Sequence, residues 1–139
     1  MKILLVVATD HEIIASRFKG CTILITGVGM VNTAIQLTKE LLQNKYDLVI
    51  NMGVAGSFSD VIKIGNVVEV VEDSFSELGF ENGVGFEQFS DFELGTRYSV
   101  EGKTDLQKMR GITVNTVHGN EKLISRRISS TRIHTKKLL

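Results

Sequence analysis

Proline and tryptophan are absent from this sequence of 139 residues, and cysteine occurs once. With no proline, turn formation falls to its 13 glycines and to polar residues. The lone Cys21 excludes an intrachain disulfide framework and fits a reducing compartment, so a cytoplasmic protein is expected. Aromatic residues make up only 6%, which leaves an aliphatic core drawn from the 42% of hydrophobic residues. Long apolar runs are missing too. No segment approaches the ~20 apolar residues of a membrane span, and no membrane partner is expected. The first apolar run stops at Asp10 without a small-residue cleavage site, unlike a signal peptide. His11, His118 and His134 are scattered, so no metal-ligand spacing exists, and neither metal nor other cofactor is expected.

Charge of one sign is scarce only locally. The chain has 16 basic and 16 acidic residues, but after Glu121 it has six basic residues (Lys122, Arg126, Arg127, Arg132, Lys136, Lys137) and no acid. The first 121 residues therefore hold ten basic and sixteen acidic residues, a net charge of −6. An acidic body excludes nucleic acid as the expected partner.

What is present alternates between apolar runs and helical patterns. Lys2–Ala8 (KILLVVA) is a continuous apolar stretch suited to a strand buried on both faces. Residues 10–18 (DHEIIASRF) predict two to three helical turns with Ile13, Ile14 and Phe18 inward. Residues 21–27 (CTILITG) predict a second buried strand. In residues 30–45 (MVNTAIQLTKELLQNK), Val31, Ala34, Ile35, Thr38, Leu41 and Leu42 recur at helical spacing. Residues 47–53 (DLVINMG) and 66–75 (NVVEVVEDSF) predict two further strands. Residues 76–95 have no lasting period and predict a long loop or an irregular hairpin. A last strand is expected over Ile112–Val117. Strand–helix–strand order of this kind indicates an α/β fold with a largely parallel sheet. No internal repeat or linker interrupts it.

In open α/β sheets ligands bind outside the carboxyl ends of the strands. Four such ends carry unusual loops: residues 8–12 (ATDHE), 26–32 (TGVGMVN), 51–58 (NMGVAGSF) and 115–120 (NTVHGN). Thr9-x-x-Glu12 forms a capping box, which alone would justify both residues. The functional alternative is that Glu12 or Asp10 polarises a water from a fixed point at the strand end. Gly27-Val28-Gly29 resembles the start of a dinucleotide fingerprint, but Asn32 stands where a third glycine belongs. It is either a tight turn feeding a helix or a close-approach surface for a flat ligand. Asn51-Met52-Gly53-Val54-Ala55-Gly56-Ser57 holds more small residues than a turn requires and leaves room for a base or sugar. Phe75, Phe80, Phe86, Phe89 and Phe92 suit core or interface better than ligand stacking. A plain dinucleotide-binding domain is the alternative that Asn32 speaks against.

Together, KILLVVATDHE, TGVGMVNTA, NMGVAGSF followed by IGNVVEVVEDSF, and GITVNTVHGNE resemble the nucleoside phosphorylase and nucleosidase superfamily, over Met1 to about Glu121. Within it, the sequence is most similar to the futalosine hydrolases of the menaquinone pathway, and next to the 5′-methylthioadenosine/S-adenosylhomocysteine nucleosidases. The resemblance implies a three-layer α/β fold with a mostly parallel, mixed central sheet, and cleavage of a purine nucleoside's N-glycosidic bond by water. By position it implies that Glu12 orients that water and that Ala8 and Thr9 line the pocket beside it. Val28 and Gly29 would lie on the ribose side, and Val54, Ala55 and Gly56 under base and sugar. Thr116, Val117 and His118 would approach the base. A homodimer is the implied assembly.

The residues themselves favour hydrolysis over phosphorolysis. Phosphate needs cationic or amide cradles. The first loop instead holds Asp10 and Glu12, its nearest arginine is Arg17, and residues 56–62 contain none. The resemblance also implies a Met-Glu pair on the ribose hydroxyls and an Asp that protonates the leaving purine, both later in the family's chain. Neither has a counterpart here. We therefore expect a fold incomplete at its C-terminus, with residues 122–139 a divergent basic tail, a frame-shifted end being one origin and a genuine short basic helix the other. A chain without the leaving-group acid is expected to turn over slowly or not at all, or to act as an inactive nucleoside-binding fragment, since general acid help is worth ~10²–10⁴-fold.

Overall fold

The computed structural model describes residues 1–58, 61–89 and 95–117. The chain divides into two compact units, Met1–Gly56 and Ser57–Leu139.

The first unit is built on β1 (Ile3–Val7), β2 (Thr22–Ile25), helix α1 (Met30–Gln43) and β3 (Leu48–Asn51). The three strands run parallel in the order β2-β1-β3. Central β1 needs an apolar side chain at every position, because both of its faces are covered. Leu4, Leu5, Val6 and Val7 are the buried apolar core. Backbone bonds carry the pairing past the strand ends: Thr26 N donates to the Val7 carbonyl at 2.9 Å, Gly27 N to Ala8 at 3.0 Å and Met52 N to Val6 at 2.9 Å. All three loops thus leave from one rim in fixed register. At the opposite rim the Lys2 amide donates to Asp47 Oδ2 at 2.5 Å, and the Lys2 ammonium lies 4.5 Å from the Tyr46 ring centre.

Two expectations fail here, the helix over residues 10–18 and the burial of β2, which is half-buried at Ile23 and Leu24 and exposed at Thr22 and Ile25. Residues 10–18 form two single turns of 3₁₀ helix, Asp10–Glu12 and Ala15–Arg17, and not a helix of two to three turns. Ile13 between them is extended, at φ −140° and ψ 137°. Nine residues with two adjacent β-branched side chains cannot sustain a helix without a covered face, and Ile14 is 56% exposed. The apolar stripe of α1 is likewise uncovered. Val31, Ile35, Leu41 and Leu42 are exposed, whereas Thr33, Leu37 and Glu40 are half-buried.

The second unit contains β4 (Val68–Phe75), β5 (Gly79–Glu81), β6 (Phe86–Gln88), β7 (Arg97–Ser99) and β8 (Gln107–Thr113). Strands β7-β4-β8 form a mixed sheet, with β7 antiparallel and β8 parallel to β4. The irregular hairpin expected after β4 is β5-β6. Strand β7, fully exposed, had no signal in the sequence. The last strand begins five residues earlier than expected and ends at Thr113, so residues 114–117 belong to the loop that follows. The register decides this: Val68 pairs with Gln107 and Phe75 with Thr113, so the polar half of β8 is drawn into the ladder by a long-range partner. Phe75 meets Tyr98 edge-on at 5.8 Å, and the Gln88 amide donates to the Phe75 carbonyl at 2.6 Å.

Candidate active site

The buried run of β1 ends at Ala8, and the 3₁₀ turn after it folds the Glu12 side chain back over the strand end. Glu12 Oε2 accepts hydrogen bonds from the Ala8 and Thr9 amides, each at 2.9 Å. Thr9 and Glu12 form the expected capping box, and the Glu12 amide donates to the Thr9 carbonyl at 3.3 Å. The carboxylate also reaches sideways to β3. Its Oε1 accepts a long bond from the Val54 amide, at 3.4 Å. Capping and convergence on the rim are therefore properties of one side chain.

These donors decide its protonation. The Thr9 amide lowers the Glu12 pKa most; partial burial opposes this, and the Val54 and Ala8 amides lower it further. Amides that donate to a carboxylate favour the charged form. Glu12 is thus an anion throughout the neutral range, held by backbone dipoles without a cation.

Asp10, the other acid of this loop, is not placed this way. Its side chain is 74% exposed and lies 3.7 Å from an exposed His11. Of the two carboxylates, the structure brings Glu12 to the rim and leaves Asp10 in solvent.

The second loop is fixed by residues the sequence reading did not single out as site residues. Thr26 is buried, and its hydroxyl bonds to the carbonyls of Val7 (3.3 Å) and Gly27 (3.0 Å) and to the Thr33 hydroxyl (3.2 Å). It joins the ends of β1 and β2 to the first turn of α1. Gly27 and Gly29 take φ of 81° and 99°, which side-chain-bearing residues rarely adopt. Asn32 donates to the Val28 carbonyl at 2.7 Å, so the residue that spoiled the glycine fingerprint closes the turn. A buried threonine between an apolar strand and a glycine was the available sequence signal.

The third loop supplies Gly53 and Val54 beside Glu12. A Cβ on Gly53 would lie 2.9 Å from Glu12 Oε1 and 3.4 Å from its Cδ. Val28, Val54, Ala55 and Gly56 are exposed, with Val54 at 89% and Val28 at 70%. Apolar side chains in the open beside a fixed carboxylate are what a small ligand with an apolar body and polar groups would cover.

The structure brings Ala8, Thr9, Glu12 and Val54 into contact within the first unit, with Val28 and Gly29 on the neighbouring loop of the same rim. Thr116 and Val117 are exposed in the loop after β8 in the second unit. There the Asn115 amide donates to Glu77 Oε2 at 2.5 Å. His118 lies outside the described residues. Among the described residues, no group of three His, Cys, Asp or Glu side chains could hold a metal ion, and no helix is long and apolar enough to cross a membrane. A concave surface at the β5-β6 turn is lined by residues 81–86. Its polar groups serve the turn: Asn82 Oδ1 accepts from the Val84 and Gly85 amides, and Asn82 Nδ2 donates to Glu87 at 2.9 Å.

Comparison with known proteins bears on the family and the fold. A sequence profile described as the phosphorylase superfamily matches residues 6–116. A 5′-methylthioadenosine/S-adenosylhomocysteine nucleosidase from Marinomonas sp. (strain MWYL1) is 34% identical over 74 residues. That match covers 50% of this chain and 32% of the relative, so it spans about a third of the relative's length. The crystal structure of 5′-methylthioadenosine/S-adenosylhomocysteine nucleosidase from Neisseria meningitidis, in complex with methylthio-immucillin-A, superposes with a TM-score of 0.67 at 16% identity. It covers 93% of this chain and 71% of that one. This likeness shows the α/β fold with its parallel and mixed sheets.

Proposed function

The chain belongs to the phosphorylase superfamily, and we propose that its sheet rim binds a purine nucleoside whose N-glycosidic bond is cleaved by water. The observation that carries this reading is the Glu12 carboxylate, anchored on the Ala8 and Thr9 amides beside the glycine-lined end of β3. In this reading Glu12 orients the attacking water. Positive charge builds on the sugar as the bond to the base lengthens, and a fixed anion on that side stabilises it. Val28 and Gly29 flank the ribose, and Val54 to Gly56 lie under base and sugar.

Hydrolysis is preferred to phosphorolysis because an anion held by three amides, with no arginine in the loop, repels phosphate and accepts a water proton. Of the two substrate classes, 5′-methylthioadenosine and S-adenosylhomocysteine are supported by the names of both relatives. Futalosine is supported by the residue resemblance alone. The ribose clamp and the leaving-group acid that the resemblance calls for have no counterpart in these 139 residues, so the reading concerns what this part of the site contributes. A homodimer in a reducing cytoplasm completes it. A monodisperse monomer by light scattering would contradict the assembly.

The test is to incubate the purified protein with each nucleoside and identify the released base by chromatography. Adenine marks the thioether nucleosides, and hypoxanthine marks futalosine. Release of either base, lost in Glu12→Gln, supports the proposal. Nucleoside binding by calorimetry without release marks the inactive binding fragment; release that survives Glu12→Gln, or neither binding nor release with any of the three, overturns the proposal.

A further inference from the structure

The Glu12 carboxylate has about four acceptor positions, two on each oxygen. Oε2 uses both of its positions on the Ala8 and Thr9 amides. Oε1 accepts from the Val54 amide, and the Thr9 hydroxyl adds a further bond to the carboxylate. Oε1 is also the atom that lies against Gly53, where a Cβ would stand 2.9 Å away. Gly53 is not forced to be glycine by its backbone, since its φ lies outside the left-handed range that marks Gly27 and Gly29. Nor does a turn explain it. What requires glycine there is the approach of one carboxylate oxygen.

We propose that Gly53 is a positioning residue. By lacking a Cβ it lets Glu12 lie flat against the end of β3, take the Val54 amide, and hold Oε1 at a fixed point on the rim. The neighbour that an added methyl would meet is the end of a flexible side chain, not backbone. The carboxylate therefore gives way while the fold stays, and the alignment of β1 with β3 through Glu12 is lost. Gly83, in the β5-β6 turn, has nothing within 4 Å of its Cβ position and serves as the control.

The inference rests on Glu12 as the water-orienting group, but position and reaction are read by separate measurements. Position is read by NMR titration of the Glu12 carboxyl carbon and the Val54 amide in the 139-residue chain. In the parent protein the Val54 amide shift should follow Glu12 ionisation. In Gly53→Ala that coupling should disappear and Glu12 should titrate nearer the ordinary carboxylate range, while Gly83→Ala behaves as the parent. Were Gly53→Ala to unfold, the parent titration alone decides, because a Val54 amide indifferent to Glu12 ionisation overturns the proposal. So does a Gly53→Ala variant that titrates like the parent. Reaction is read by base release. There Gly53→Ala should lower kcat about 100-fold, the usual scale of a misplacement near 1 Å, with KM unchanged. An unchanged kcat beside a displaced titration overturns the positioning role.

Discussion

Glu12, on the parallel sheet of the first unit, and Glu69, on the mixed sheet of the second, each gather several donors, but of different kinds. Glu12 is held without a cation, by the Ala8, Thr9 and Val54 amides and the Thr9 hydroxyl. Glu69 binds the Lys108 ammonium, the Lys103 amide at 2.6 Å, and the Thr104 amide and hydroxyl at 3.1 and 2.7 Å. Lys108 also donates to the Thr104 carbonyl, so the loop from β7 to β8 is knotted around one carboxylate. The Lys108 ammonium brings the Glu69 pKa down most, and with the Lys103 amide and Thr104 hydroxyl sets it at about 2. A carboxylate neutralised by lysine and ringed by donors is a staple. One held by uncharged donors keeps its negative charge and can act on a further group. Charge and burial do not distinguish the two; the donors do.

Substitutions can sharpen or break this contrast. The largest effect is expected from Glu12→Gln, which keeps the shape but replaces an acceptor oxygen with a donor. Base release should fall by ~10²–10⁴-fold, whereas Glu69→Gln should leave the rate unchanged. Equal losses in both would erase the distinction. Next comes Gly29→Ala, because φ 99° with ψ 153° at Gly29 is accessible almost only to glycine. The cost should be about 1–3 kcal/mol, read as a lower denaturation midpoint in urea. Thr26→Val should cost about 1 kcal/mol in the same assay, since the methyl replaces a hydroxyl that ties β1 and β2 to α1.

The smallest effect is the pH dependence of the staple, whose exposed partners are screened by solvent. The folded pKa of Glu69 is depressed below the ordinary 4.5. Its contribution to stability is therefore complete above pH 4.5 and lost as pH falls toward about 2. Lys108→Met should flatten that acid limb in urea titrations at several pH values. An unaltered limb would mean that Glu69 is not stapled. Glu12 has the same sign, with stability lost as pH falls through its own depressed value.

The two units were not equally legible. The first follows from local pattern. An unbroken apolar run becomes the doubly covered β1, and helical spacing over residues 30–45 becomes α1, Met30–Gln43. Parallel order then puts the three motif loops of this unit on one rim. The second unit depends on long-range pairing. β7 is three exposed residues that exist as a strand only because Ser74, Asp73 and Glu72 pair with Arg97, Tyr98 and Ser99. The start of β8 is set by Val68 and not by its own sequence. At the site, the capping box and the small-residue loop were visible as patterns. That Glu12 would span both was not, because the contact joins residues 42 apart. Nor does composition tell an amide-held carboxylate from a lysine-held one. The helix expected after β1 failed for a related reason, since Glu12 turns back to Ala8 and Thr9 and Ile13 leaves in an extended conformation.

The central claim is that the carboxyl-end rim of β1, β2 and β3 receives a purine nucleoside beside Glu12. Amide chemical-shift mapping of the 139-residue chain with 5′-methylthioadenosine tests it most directly. The account predicts that Ala8, Thr9, Gly27 to Gly29 and Gly53 to Gly56 shift together, while Lys2, Cys21 and Asp47 at the opposite rim stay in place. Shifts confined to that opposite rim or to the β5-β6 turn, or none at all, would contradict it.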